Sequence, residues 1–224
     1  MNRPESMKLQ SLVLLVGQLI FLFSSIFWDN LEPGSAWPHL LFILVFAAGG
    51  YAMAEQRRWL VTYLLTTACG VGFGATKDSD LLASLSLVGF LVCFALLFTV
   101  LIKHCFFRPT VPAADRLLGG IAGYFLLGFF WLSQFRWALL DSAEALVSTV
   151  SGEAATASER IYFVFVTLTS LGYGDVLPMT PLARILAVLC CVSGVLYLAV
   201  FISALLGGMT TGSRGKDSPA DSQA

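Results

Sequence analysis

The fold class expected from the sequence is all-α, a polytopic membrane helix bundle with four spans in its N-terminal part and two more around a re-entrant segment. Three observations predict it. Of 224 residues 57% are hydrophobic and only 12% charged, far more apolar surface than a soluble domain of this size needs. Those apolar residues fall into runs of about 17 to 25, long enough to cross a bilayer. The runs end at short polar or aromatic punctuation, with Trp28 and Trp59 at span ends where amphipathic rings settle.

Residues 1–8 form a short N-terminal segment, followed by a first span over about 9–28. Positive charge ahead of an apolar run imitates a secretion signal. The run is too long and lacks a small-x-small cleavage site, so it is expected to be retained. A second span covers about 39–54 and stops at Glu55-Gln56-Arg57-Arg58. The third, about 59–76, is weakened by Cys69-Gly70-Val71-Gly72-Phe73-Gly74, glycines that allow close helix contact or break the helix. After Lys77-Asp78-Ser79-Asp80 a fourth span runs over 81–102, closing a four-span domain at 9–102.

Residues 103–114, with Lys103, His104, Arg108, Pro109 and Pro112, read as a linker. The second module spans 115–208. Its first helix has an apolar body at 117–132 and a small-xxx-small face at Gly119 and Gly123. A polar turret at 141–158 follows. Ser158 as N-cap and Glu159 in the first turn open a helix over 158–170, too short to cross. It must enter the membrane and return, which irregular backbone tolerates only against protein or a wet cavity. The last span covers 181–206, and 209–224 is rich in Gly, Ser and Asp and expected to be disordered.

Between the re-entrant helix and the last span lies Thr167-Leu168-Thr169-Ser170-Leu171-Gly172-Tyr173-Gly174-Asp175. Glycines at alternate positions take dihedrals closed to other residues, so successive carbonyls can point the same way. Several copies around an axis would stack those oxygens into rings that replace a cation's water shell. Thr169 and Ser170 can add hydroxyl ligands at the inner end, and Tyr173 would point outward.

This string resembles the selectivity filter of potassium channels, which commonly reads Thr-Thr-Val-Gly-Tyr-Gly-Asp or Thr-Thr-Leu-Gly-Tyr-Gly-Asp; Ser170 is the departure. The likeness extends over about 115–211. It implies a filter at Thr169, Ser170, Leu171, Gly172, Tyr173, Gly174 and Asp175, K⁺ as the permeant ion bound by filter carbonyls, no other cofactor, and four copies around one axis. It also implies a hinge at Gly194, for which a packing glycine is the alternative. Relatives hold the filter aspartate by a carboxyl partner or an aromatic donor on the preceding helix. Val166 occupies the first position and Tyr162 the second, so a Tyr162 to Asp175 hydrogen bond is expected.

With both termini inside, nine basic residues (Arg3, Lys8, Arg57, Arg58, Lys103, Arg108, Arg116, Arg214, Lys216) face the cytoplasm and four (Lys77, Arg136, Arg160, Arg184) do not, as the positive-inside rule requires. The compact chain with short tails suits a bacterial inner membrane. Six spans invite a voltage-sensor reading, but 81–102 contains no Arg or Lys, and a sensor helix needs such charges to feel the field. A weakly voltage-dependent or voltage-independent potassium channel is therefore expected. The alternatives are a non-conducting membrane subunit and a less selective monovalent cation pore.

Nothing points to an enzyme: paired carboxylates, histidine ligands and a Ser/His/Asp set are all lacking. A net charge of −1 without a basic cluster gives no nucleic-acid partner. The five cysteines lack Cys-x-x-Cys spacing and read as small buried hydrophobes. Partners expected are lipid and further copies of the chain, with a separate regulatory subunit, pH or membrane tension left open as the gating stimulus.

Overall fold

The computed structural model describes residues 4–24, scattered positions between 88 and 99, and residues 113–213. The second and third spans, most of the fourth, the linker before residue 113 and the tail beyond 213 lie outside the described residues. Among those described, the order is α1 (Pro4–Ser24), α2 (Ala113–Asp141), a 3₁₀ turn (Ala143–Ala145), β1 (Leu146–Ser148), α3 (Ala157–Leu168), β2 (Val176–Pro178) and α4 (Pro181–Ser213). The described positions between 88 and 99 are helical. The all-α membrane class holds, with one addition: β1 and β2 pair antiparallel, Leu146 opposite Pro178 and Ser148 opposite Val176.

Within α2 and α4, stretches of 23 and 24 residues, Ala114–Arg136 and Pro181–Ala204, are apolar enough to cross a membrane. At 1.5 Å per residue each covers about 35 Å, more than the roughly 30 Å hydrocarbon core. The 12 residues of α3 reach only about 18 Å, too short to cross that core. α4 begins with Pro181 in its first turn, where a missing N–H costs nothing. It continues to Ser213, past the expected boundary at 208.

Two apolar clusters hold these pieces. One joins Leu14, Leu15 and Phe21 of α1 to Ala122, Leu126 and Phe129 of α2 and Ile161 of α3. Phe21 meets Phe129 edge to face at 5.1 Å, a favoured aromatic geometry. Gln18 is buried in α1, with neither amide atom hydrogen-bonded. The second cluster gathers Trp131 and Phe135 of α2, Phe163, Val164 and Leu168 of α3, Val176 of β2, and Ala183 and Cys190 of α4.

Only one stripe of α4 faces inward. Ala183, Cys190, Gly194 and Phe201 are buried, at helical spacing along a single face. Ile185, Val188, Val192, Val195, Leu196 and Val200 are exposed. A helix apolar all round belongs inside protein or lipid.

Candidate functional site: a re-entrant loop and its braces

The short helix α3 starts slightly before the point where the sequence places it. The N-cap is Thr156, not Ser158: its hydroxyl accepts from Glu159 N–H, and Glu159 reaches back to the Thr156 N–H at 2.8 Å. This reciprocal capping box satisfies two otherwise orphaned donors, which is why it displaces the simpler cap. The helix ends at Leu168, with Thr169 as C-cap donating its N–H to Phe165 O, so the expected end at 170 is shortened. The Leu168 carbonyl at this terminus accepts from the Tyr124 hydroxyl of α2 at 3.1 Å.

Beyond it the chain alternates in handedness. Ser170, Gly172 and Gly174 have φ of 60°, 59° and 79°, and among the described residues Ser170 is the one non-glycine of positive φ. An alternation of left-handed and ordinary residues brings successive carbonyls to one side of a strand and amides to the other. The glycines adopt it freely, and serine does so against steric resistance. The Ser170 hydroxyl does not stand free, since its Oγ lies 3.3 Å from Cys191 Sγ of α4. Leu171 and Tyr173 are exposed in the single chain. The Tyr173 ring lies parallel to that of Tyr162 with centroids 6.4 Å apart.

Three donors converge on Asp175. The Tyr162 hydroxyl donates to its Oδ2 at 2.6 Å, and that bond pushes the phenol's pKa up to about 12. On the main chain, the Asp175 carbonyl accepts from Thr149 N–H at 2.7 Å and from Thr149 Oγ1 at 3.0 Å. Thr149 follows β1 directly, so the turret strand grips the exit of the loop. The turret is tied in turn to α3, for Ser148 Oγ donates to Glu159 Oε1 at 2.7 Å. Arg184 Nε donates to Pro178 O at 3.1 Å, holding the end of β2 against α4.

Gly194 of α4 lies against the C-terminal end of α3 at Leu168. A Cβ there would collide with the Leu168 carbonyl oxygen and come within 3.0 Å of its carbon and 3.1 Å of Leu168 Cδ1. α4 is continuous through this point, so the glycine is required for close approach in the conformation seen. Two more bonds lock α4 to α2: Trp131 Nε1 to Ser193 Oγ and Tyr197 hydroxyl to Gly120 O, each 2.7 Å.

Sequence reasoning singled out the loop and the Tyr162 partner but passed over Thr149, Thr156, Tyr124 and Cys191. For Thr156 the signal was present as Thr-x-x-Glu ahead of an apolar run. For Thr149 it lay in the β-branched run Val147-Ser148-Thr149-Val150, a strand pattern. Tyr124 and Cys191 act across long sequence separations and left no local signature.

Residues 121–210 match the family model described as "Ion channel". Similar proteins include potassium voltage-gated channel subfamily A member 10 of mouse and of human, each 29% identical over 98 residues, 43% of this chain and 18% of the relative. Potassium voltage-gated channel subfamily A member 6 of mouse is 28% identical over 98 residues, 43% of this chain and 17% of the relative. The aligned part thus spans less than a fifth of the length of these relatives. No solved structure matches. Residues 121–210, less than half of the chain, are thus similar to ion channels, and the two helices long and apolar enough to cross a membrane lie largely within them.

Proposed function

We propose that this chain forms a potassium-selective pore in which four copies surround one axis and the main-chain oxygens of Thr169 to Gly174 coordinate the passing ion. The observation that carries the reading is the alternation of left-handed residues at 170, 172 and 174 on a loop between two membrane-length helices. One chain supplies one strand of oxygens, and closed rings need further copies. α3 turns its C-terminal end toward Thr169, and its dipole favours a cation beyond that end.

Tyr162 holds the outer end of this filter through Asp175, and Gly194 is where α4 meets the filter's base. Both termini face the cytoplasm by the positive-inside count. No basic residue lies between 81 and 102, which supports weak or absent voltage dependence although the similar proteins are named voltage-gated. The deciding experiment is ion flux from the purified protein in liposomes under opposed K⁺ and Na⁺ gradients. A reversal potential near that of K⁺ is expected; equal passage of Na⁺, or no flux at all, refutes the proposal.

A less selective cation pore is the second reading, favoured by the Ser170 contact with Cys191. A hydroxyl engaged with a thiol behind the loop is a poorer ion ligand at the innermost position. A reversal potential midway between those of K⁺ and Na⁺ distinguishes this reading.

A further inference from the structure

We infer that Thr149, on the turret and outside the conducting loop, is the positioning residue that sets the outermost coordination site. The inference rests on the filter reading above. Asp175 is the residue through which the loop leaves its alternating stretch, immediately after Gly174 at φ 79°. Its peptide oxygen takes two bonds from one residue, the Thr149 N–H at 2.7 Å and the Thr149 hydroxyl at 3.0 Å. With that oxygen fixed, the peptide plane between Asp175 and Val176 cannot rotate. The Gly174 carbonyl one peptide earlier keeps its direction by the same restraint, since glycine itself imposes none.

The grip is anchored on both sides. β1 pairs with β2 in register, the Ser148 N–H donates to Glu153 O at 2.9 Å and the Gly152 N–H to Ser148 O at 2.9 Å. The Ser148 hydroxyl is bound by Glu159, the same carboxylate that caps α3. Turret, helix start and loop exit therefore form one hydrogen-bonded unit. Tyr162 restrains the side chain of Asp175, whereas Thr149 restrains its main chain. The two act on different atoms of one shared residue, so their losses are coupled rather than simply additive.

The test compares Thr149→Val, which keeps shape and N–H but removes the hydroxyl, with Thr149→Ser, which restores it. The time course of K⁺ current at constant potential is recorded at low and high external K⁺. One net hydrogen bond changes an equilibrium by about three- to tenfold. Thr149→Val is expected to hasten current decay by that factor, high external K⁺ to slow the decay again, and Thr149→Ser to behave as the parent. Unchanged decay in Thr149→Val, or equally fast decay in Thr149→Ser, overturns the assignment.

A second measurement does not depend on conduction. Amide hydrogen exchange of the full-length protein in nanodiscs, in K⁺ and then in Na⁺, should show the Thr149 N–H protected more strongly in K⁺. Equal protection in both ions overturns the inference even if the parent protein passes no current.

Discussion

Replacing Gly194 by alanine separates two roles for that residue by the sign of the stability change. If Gly194 serves only as a flexible point of α4, alanine stiffens the helix and removes glycine's entropic penalty, a gain of about 1 kcal/mol. The packing seen here predicts the reverse. The added methyl meets the Leu168 carbonyl, with that carbon at 3.0 Å and Cδ1 at 3.1 Å, and a main-chain group at a helix end cannot swing aside as a side chain can. Forcing a methyl into a filled site costs about 1–3 kcal/mol. Pushing the carbonyl away also threatens its bond from Tyr124, worth about another 1 kcal/mol. The balance is a net loss of roughly 1–3 kcal/mol, concentrated at the base of the loop.

Thermal unfolding of the purified protein in K⁺ reads the stability, and single-channel recording reads the pore. Gly194→Ala should melt earlier than the parent and pass K⁺ less selectively. Gly128→Ala is the control: there the atoms nearest a Cβ are those of the Phe165 ring edge, at 2.6 Å, a side chain rather than main chain. A Gly194→Ala protein that melts later with unchanged selectivity refutes the packing argument and leaves the hinge role standing.

Tyr162→Phe removes the donor to Asp175 Oδ2 and should speed decay of the current while leaving expression intact; unchanged currents would count against a bracing role. The hydrogen bond to Asp175 pushes the Tyr162 phenol from its ordinary 10.0 up to about 12, so this bond stabilises fully below about pH 10 and is lost as pH rises through about 12. Melting curves of the parent and Tyr162→Phe should therefore converge at the alkaline end. Thr156→Ala breaks the capping box and should lower stability by about 1 kcal/mol, seen as an earlier thermal midpoint. Ser170→Thr places a β-branched residue at φ 60°, a region such residues resist, and should shift the K⁺ to Na⁺ permeability ratio; an unaltered ratio and melting point would show the loop tolerating the branch.

The spans around the loop were legible because a run of apolar residues of fixed length has few alternatives. The loop stood out because Gly172 and Gly174 flank an aromatic. Errors arose where short-range rules compete. Ser158 and Thr156 both suit an N-cap, and the choice fell to Thr156 through Glu159, which a single-residue rule does not weigh. Leu146 to Ser148 lie in a segment of polar composition, which masks the short strand pattern they begin. The pairing with Val176 to Pro178 comes from a chain reversal thirty residues long, and sequence periodicity does not register it. In the sequence Ser170 stands out by its hydroxyl, whereas its unusual property in the structure is its backbone at φ 60°.

The outward face of α4 has a consequence for how such a protein is made. Ile185, Val188, Val192, Val195 and Leu196 are as well solvated by acyl chains as by another polypeptide, so a newly inserted subunit has no solvophobic push toward its siblings. Association in lipid is driven by close packing and polar contacts instead. A newcomer can drift in the bilayer as a stable guest, and in the pore proposed above what rewards its capture is the geometry that closes around a dehydrated ion. On this view the transported species is also a fastener, and starving a membrane of it during synthesis would leave orphan subunits afloat.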